Sequence, residues 1–341
     1  MAQQDLLIGI DLGTSMSAVV SSRGAREYFD SVVAYPKDLI GIKLLGSAHV
    51  VGSDALGKSF LDVDFPLRDG VLKETGDHER DAARKLIEYA VSRAEPREDE
   101  RVCAIIGVPA NASSANNDIL LELTKETVDV ALIVSEPFLV AYGLDKLVNT
   151  IVIDIGAGTT DICALKGHLP LPEDQASNNK AGDFIDELLM SAISMRYPGV
   201  QITKQIVKGL KEEYAFVGKS KEAVEVTLRE EGKPVIVDIT EELRYSCEAI
   251  VPEIIEYTQH LIAGFDPEDQ AKALHSIILA GGGSKIAGLD QMVTEGLSEY
   301  GEIDVSCVSD AVFAGCDGAL KLADELPPEY WGQAGASRQS S

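Results

Sequence analysis

Apolar and polar positions fall into the same short pattern twice along the chain. Residues 6–10 form an apolar run that ends at Asp11-Leu12-Gly13-Thr14, and a second run follows at 16–20. The pattern returns at 150–155, Gly156-Ala157-Gly158-Thr159 and 161–165. Apolar runs joined by short Gly/Asp turns predict β-hairpins. Side by side, IGIDLGTSMSAVV and IVIDIGAGTTDICAL share an apolar run, an Asp, an apolar residue, a Gly and a hydroxyl-rich turn. The spacing between them is too long for a solenoid repeat. It predicts two copies of one domain, residues 1–148 and 149–330, and a flexible tail at 331–341.

The rest of the pattern alternates strand with helix, which predicts an α/β protein. Residues 101–108 (RVCAIIGV) read as a strand buried on both faces, closed by Pro109. Asn116 and Asn117 are candidate caps for a helix reaching about Val130, and a strand at 132–134 precedes a helix opened by Ser135-Glu136-Pro137. In the second copy, helices are expected at 181–196 and 202–213 and strands at 224–228 and 235–238. One long amphipathic helix is expected at 241–263, with Pro252 as a kink. A buried strand at 276–280 runs into Gly281-Gly282-Gly283-Ser284, with a helix from Ile286. A strand at 305–308 and a last helix at 311–325 complete the pattern. Residues 30–65 and 181–252 depart most from the alternation and read as insertions, one per copy, and 169–180 reads as an exposed connector.

Charge narrows the function. The formal net charge is −26, so a general nucleic-acid binder is excluded and anionic membrane surfaces repel the chain. No apolar run approaches the roughly 18–20 residues of a membrane span. The N-terminus lacks the basic region of a signal peptide. The five cysteines form no CxxC pair, so buried reduced thiols in a cytoplasmic protein are expected rather than a zinc site or disulfides.

The loops carry the chemistry. A glycine after a strand lets the amides of Gly13, Thr14 and Ser15 turn toward a phosphate oxygen. Asp11 at the strand end suits Mg²⁺, which takes oxygen ligands and keeps several waters. One such loop alone reads more simply as an ordinary hairpin turn with a capping Asp. The second loop, Asp154 through Thr159, repeats the Asp and adds glycine, and two such loops would clamp a polyphosphate. Two converging aspartates repel unless a cation sits between them, so Asp11 and Asp154 predict a shared Mg²⁺. The triple glycine offers bare backbone to a flat adenine or ribose, although tight strand-to-helix packing accounts for it equally well. No Walker lysine follows it, and no GxGxxG opens a helix near the N-terminus.

The two Asp-Gly loops and the triple-glycine loop together resemble the actin superfamily of ATPases. VGSDA at 51–55, PLRDGV at 66–71, and the stretch from IGVPA through SEPFLVAYGL resemble bacterial actins of the MreB type. DIGAGTTDICALKG, VVAYPKDLIGIKLLG and the closing ELPPEYW resemble the magnetosome-associated branch of those actins. The likeness spans about Leu6 to Leu326.

This resemblance implies an actin-like fold, with duplicated mixed-sheet domains around a nucleotide cleft. It implies a cytoskeletal protein that assembles with ATP, hydrolyses it, and positions magnetosomes in a chain. Asp11 and Asp154 would organise Mg²⁺. Gly13, Thr14, Ser15, Gly156, Ala157, Gly158 and Thr159 would hold the phosphates of ATP or ADP. Glu136 would orient the attacking water, although capping of its helix also explains it. Gly182, Lys211, Glu212, Gly282, Gly283 and Ile286 would surround the adenosine. Asp161 matches an acidic position of less defined role. Partners would be further copies of the chain, joined head to tail in a filament, and magnetosome-associated proteins, with no direct nucleic acid and no membrane insertion. Met16 and Ser17 stand where eukaryotic actin has a lysine nearby, so phosphate charge would rest on amides and Mg²⁺. A filament serving cell shape or plasmid segregation is the alternative. A small-molecule kinase lacks a sugar-pocket signature, and a chaperone would need a substrate domain after the last helix.

Overall fold

The computed structural model describes residues 5–73, 76–220, 222–327 and 329–331. The predicted tail from Gly332 lies outside the described residues. Contacts divide these residues into two units. One holds those up to Leu147 together with those from Val312 onward, and the other holds Val148–Ala311.

The first unit opens with the expected hairpin, β1 (Leu6–Leu12) and β2 (Met16–Ser21), extended by β3 (Arg26–Asp30). A side sheet follows from β4 (Val33–Pro36), helix α1 (Leu39–Leu45), β5 (Val50–Val51) and β6 (Leu61–Asp64), in the order β5-β4-β6. The short pair β7 (Leu67–Arg68) and β8 (Val71–Leu72) leads to α2 (Asp77–Arg93), β9 (Val102–Val108), α3 (Ser114–Thr124), β10 (Val130–Ser135) and α4 (Glu136–Gly143). The main sheet runs β10-β9-β1-β2-β3, with β1, β9 and β10 parallel. Every residue of β9 is buried, as its unbroken apolar run requires.

The second unit repeats this plan. Its hairpin is β11 (Val148–Ile155) and β12 (Thr160–Lys166), extended by β13 (Gln175–Asn178). The insertion comprises α5 (Gly182–Arg196), β14 (Val200–Gln201), α6 (Lys204–Tyr214), β15 (Glu225–Glu230), β16 (Lys233–Asp238) and α7 (Thr240–Glu248), its strands pairing as β14-β15-β16. Then come α8 (Val251–Ala263), α9 (Pro267–Leu274), β17 (Ile277–Ala280), α10 (Leu289–Gly296) and β18 (Val305–Cys307). The main sheet runs β13-β12-β11-β17-β18, strand for strand the topology of the first. Each sheet has its own core, around Ile8, Ile10, Leu86 and Ile106 in one unit and Ile151, Ile153, Leu189 and Leu279 in the other.

Several expectations change. The last helix, α11 (Ala314–Glu325), starts three residues later than expected and packs on β1, β9 and α4, so residues from 312 belong to the first unit rather than to the second copy. The approach is close, since a Cβ on Gly318 would lie 1.8 Å from the Leu139 carbonyl. Trp331, in the ELPPEYW ending, is buried in the same cluster as Cys103, Ile105 and Leu139. The supposed connector at 169–180 contains β13, an edge strand of polar sequence. The expected long helix is two, because Pro252 has no N–H to continue α7 and instead sits in the first turn of α8. Helix α3 is capped by Ser113, whose hydroxyl accepts the Asn116 N–H, and it ends before Val130, which starts a strand. A 3₁₀ turn at Gly282–Lys285 delays α10 to Leu289. Four cysteines are buried and free as expected, whereas Cys307 is exposed.

Candidate functional site

In the first unit, Asp11 lies near the end of β1, opposite Ala18 on β2 and Gly107 on β9. Helix α11 crosses beside it, and a Cβ on Gly315 would lie 3.6 Å from Asp11 Oδ2, an ordinary contact. Burial pushes the Asp11 carboxyl up to about 6. The nearby Cys316 thiol is pushed well above its ordinary value, by burial first and then by the Asp11 charge, with Glu136 adding to it. Glu136 is the first residue of α4, directly after β10. Asp11 and Glu136 come together around Gly107, where a Cβ would meet the Glu136 Cγ at 2.9 Å. A side chain at 107 would therefore push Glu136 off its position.

The turn between β1 and β2 is braced from outside. The Ser31 hydroxyl donates to the Gly13 carbonyl at 2.6 Å, and the Ser31 N–H donates to the Ser15 carbonyl. The Thr14 hydroxyl accepts the Gly70 N–H at 2.8 Å. With the carbonyls of Gly13 and Ser15 held by Ser31, the turn is fixed before any ligand arrives. Ser31 and Gly70 were not singled out from sequence, although Gly70 falls within the PLRDGV motif.

In the second unit, Asp154 occupies the position on β11 that Asp11 occupies on β1, and its cross-strand neighbour is the buried Asp161. The turn is closed by the Gly156 N–H donating to the Thr159 carbonyl. Its outward carbonyls cap a helix: Gly156 accepts the Gly182 N–H at 3.1 Å, and Ala157 accepts the Asp183 N–H at 2.7 Å. Helix α5 has no side-chain cap, so these carbonyls satisfy two of its orphan donors. The turn and the start of α5 thus form one block.

The third loop packs behind Asp154. Gly281 has φ +70°, and a Cβ there would lie 2.4 Å from Asp154 Oδ1. A Cβ on Gly283 would lie 2.2 Å from Ile155 Cγ2, whereas Gly282 faces open space. Gly281 and Gly283 are therefore packing glycines, and Gly282 is the bare position open to a ligand. The strand-like segment after α6 pairs with this loop, Val217 N–H donating to Ala287 O and Ala287 N–H to Ala215 O. That pairing gathers Lys211, Glu212, Gly282, Gly283 and the buried Ile286 in one unit. Lys211 donates to the Gly182 carbonyl at 2.7 Å and pairs with Asp186 Oδ1 at 2.9 Å. Glu212 is exposed.

The donor set fits Mg²⁺ bound through few protein ligands. Among the described residues no cluster of three or more His, Cys, Asp or Glu side chains forms a cage. Mg²⁺ typically binds one or two carboxylates, keeps waters and takes the remaining ligands from substrate phosphates. A carboxylate raised by burial, as Asp11 is, gains most from a cation beside it.

Comparison with known proteins gives the chain's family and relatives of known fold. A family model described as MreB/Mbl protein matches residues 5–328. The actin-like protein MamK of Paramagnetospirillum magneticum strain AMB-1 is 52% identical over 335 residues, covering 98% of this chain and 96% of that one. A solved MamK double helical filament superposes with a TM-score of 0.93 at 51% identity, over 95% of this chain and 100% of that one. A non-polymerising MamK mutant bound to AMPPNP gives a TM-score of 0.74 at 50% identity, over 95% and 100%.

Proposed function

The chain belongs to the MreB/Mbl family, and from that premise we propose that it is an actin-like cytoskeletal ATPase that assembles with ATP into head-to-tail filaments positioning magnetosomes. The observation that carries this reading is the repeated Asp hairpin on two sheets of identical topology, in a chain 52% identical to MamK along almost its whole length.

The chain's residues divide the work. In the first unit the braced turn Gly13-Thr14-Ser15 offers backbone donors to phosphate oxygens. In the second, Gly156–Thr159 offers the same from a turn locked to α5, next to the helix N-terminus that favours anions. Asp11 and Asp154 would hold Mg²⁺, which neutralises phosphate charge when bound. Glu136, at the start of α4 and near Asp11, accepts a hydrogen bond from water and aligns it for attack on the terminal phosphorus. Gly282 leaves backbone bare for the nucleoside, and Glu212 is exposed to reach it. Subunits joined by a heterologous, non-closing contact extend into filaments, and magnetosome-associated proteins would be the cargo adaptors.

Sedimentation with ATP, ADP or no nucleotide, followed by electron microscopy, tests the reading. Filaments that pellet with ATP are expected, and their absence across a range of salt would sink it.

A further inference from the structure

The resemblance gives Lys211 to the adenosine, but the geometry gives its charge to the protein. Lys211 is in the last turn of α6 and is mostly buried. Its ammonium is held at two points one turn apart on α5, the Gly182 carbonyl and the Asp186 carboxylate. The Asp186 side chain is 1% exposed, and among the described residues no hydrogen-bond donor other than the Lys211 ammonium reaches its carboxylate. Burial raises the Asp186 carboxyl, and Lys211 opposes that rise. A buried carboxylate without a compensating charge is strongly destabilising, so the ammonium is committed to α5. The same end of α5 is the one the phosphate turn caps. Gly182 lies within 3.1 Å of the Lys211 Nζ and 3.2 Å of the Gly156 carbonyl, measured from where its Cβ would sit.

On the nucleotide reading above, we propose that Lys211 and Asp186 are a positioning pair that sets the phosphate turn Gly156–Gly158 through the N-terminus of α5, and that Lys211 acts on the phosphates rather than on the adenosine. Breaking the pair leaves Asp186 uncompensated. Helix α5 then shifts, and the carbonyls of Gly156 and Ala157 shift with it. Amides aimed at phosphate oxygens lose alignment, while the bare backbone at Gly282 is untouched.

The test compares AMP, ADP and AMPPNP binding, with Mg²⁺, to the full chain and to Asp186→Asn, Lys211→Met and the double variant. Both single variants are expected to weaken ADP and AMPPNP by about tenfold or more, the loss growing with phosphate number, and AMP by less than about twofold. The double variant is expected to be no worse than the poorer single one, as for a coupled pair. Lys211→Arg keeps the charge and is expected to restore most of the ADP affinity, so the proposal remains testable even where Asp186→Asn fails to fold. Equal losses for AMP and ADP in Lys211→Met, with Asp186→Asn near wild type, would overturn the proposal in favour of a direct adenosine contact. Wild-type protein that binds none of the three would instead overturn the nucleotide reading on which it rests.

Discussion

The two Asp hairpins share strand order, register and turn position, yet they are held in place by different means. The first turn is braced by side-chain and backbone groups from distant segments, Ser31 and Gly70. The second is braced by a helix, whose first N–H groups bind the carbonyls of Gly156 and Ala157. Their cross-strand neighbours differ as well, Asp11 facing Ala18 and Asp154 facing the buried Asp161. One hairpin topology is thus braced in two different ways. The first unit carries Glu136, proposed above to orient the attacking water. The second adds the helix N-terminus and the bare glycine loop. Chemistry is expected to depend most on the first unit, and binding on the second.

The largest expected effect lies in the first unit. Glu136→Gln should slow phosphate release by about a hundredfold or more while leaving AMPPNP affinity and ATP-driven assembly near wild type. Phosphate release equal to wild type would remove Glu136 from its role. Asp11 gives an effect of opposite sign on stability. Its carboxyl is raised in the fold, so the native state binds that proton more tightly than the unfolded chain does. Stability without ligand therefore falls as pH rises from about 4 through about 6. Asp11→Asn should remove this cost, raising the thermal midpoint of the nucleotide-free protein at pH 7.5 by the equivalent of up to about 3 kcal/mol. The gain should vanish near pH 4, and a variant no more stable than wild type at pH 7.5 would contradict it.

The second unit offers a smaller contrast. Gly283→Ala drives a methyl into Ile155 and should cost about 1–3 kcal/mol on denaturant unfolding. Gly282→Ala meets no neighbour, so it should leave stability within about 0.5 kcal/mol and weaken nucleotide binding instead. Equal destabilisation by both would mean that Gly282 is a packing glycine too. The smallest effect belongs to neither unit. Subunits of charge −26 repel as they approach, so assembly should improve between about 0.01 M and about 0.15 M salt, where the Debye length falls from about 30 Å to about 8 Å. A critical concentration flat across that range would count against it.

The contrast between the halves also bears on what could be read from sequence. Both hairpins, β9 and β17 were legible because strands buried on both faces are continuous apolar runs. The edge strands β3 (REYFD) and β13 (QASN) were not, because one polar strand at a sheet margin looks like a loop until its partner is known. The boundary at Pro252 was visible as a helix-breaking residue but not as a complete break. The return of α11 to the first unit left no local trace, since a glycine that permits close packing, such as Gly318, reads as any other helical glycine. At the site, Asp11, Asp154 and the three glycine loops stood out because they repeat or cluster. Asp186 did not, because a carboxylate in an amphipathic helix is inconspicuous until Lys211, on another helix, meets it.

We propose that both Asp hairpins serve nucleotide binding with Mg²⁺. Calorimetric titration of ADP with and without Mg²⁺, on wild type, Asp11→Asn and Asp154→Asn, tests that claim most directly. One nucleotide per chain is expected, with Mg²⁺-enhanced affinity that either substitution abolishes. Two nucleotides per chain, or a variant that keeps the full Mg²⁺ enhancement, would contradict it.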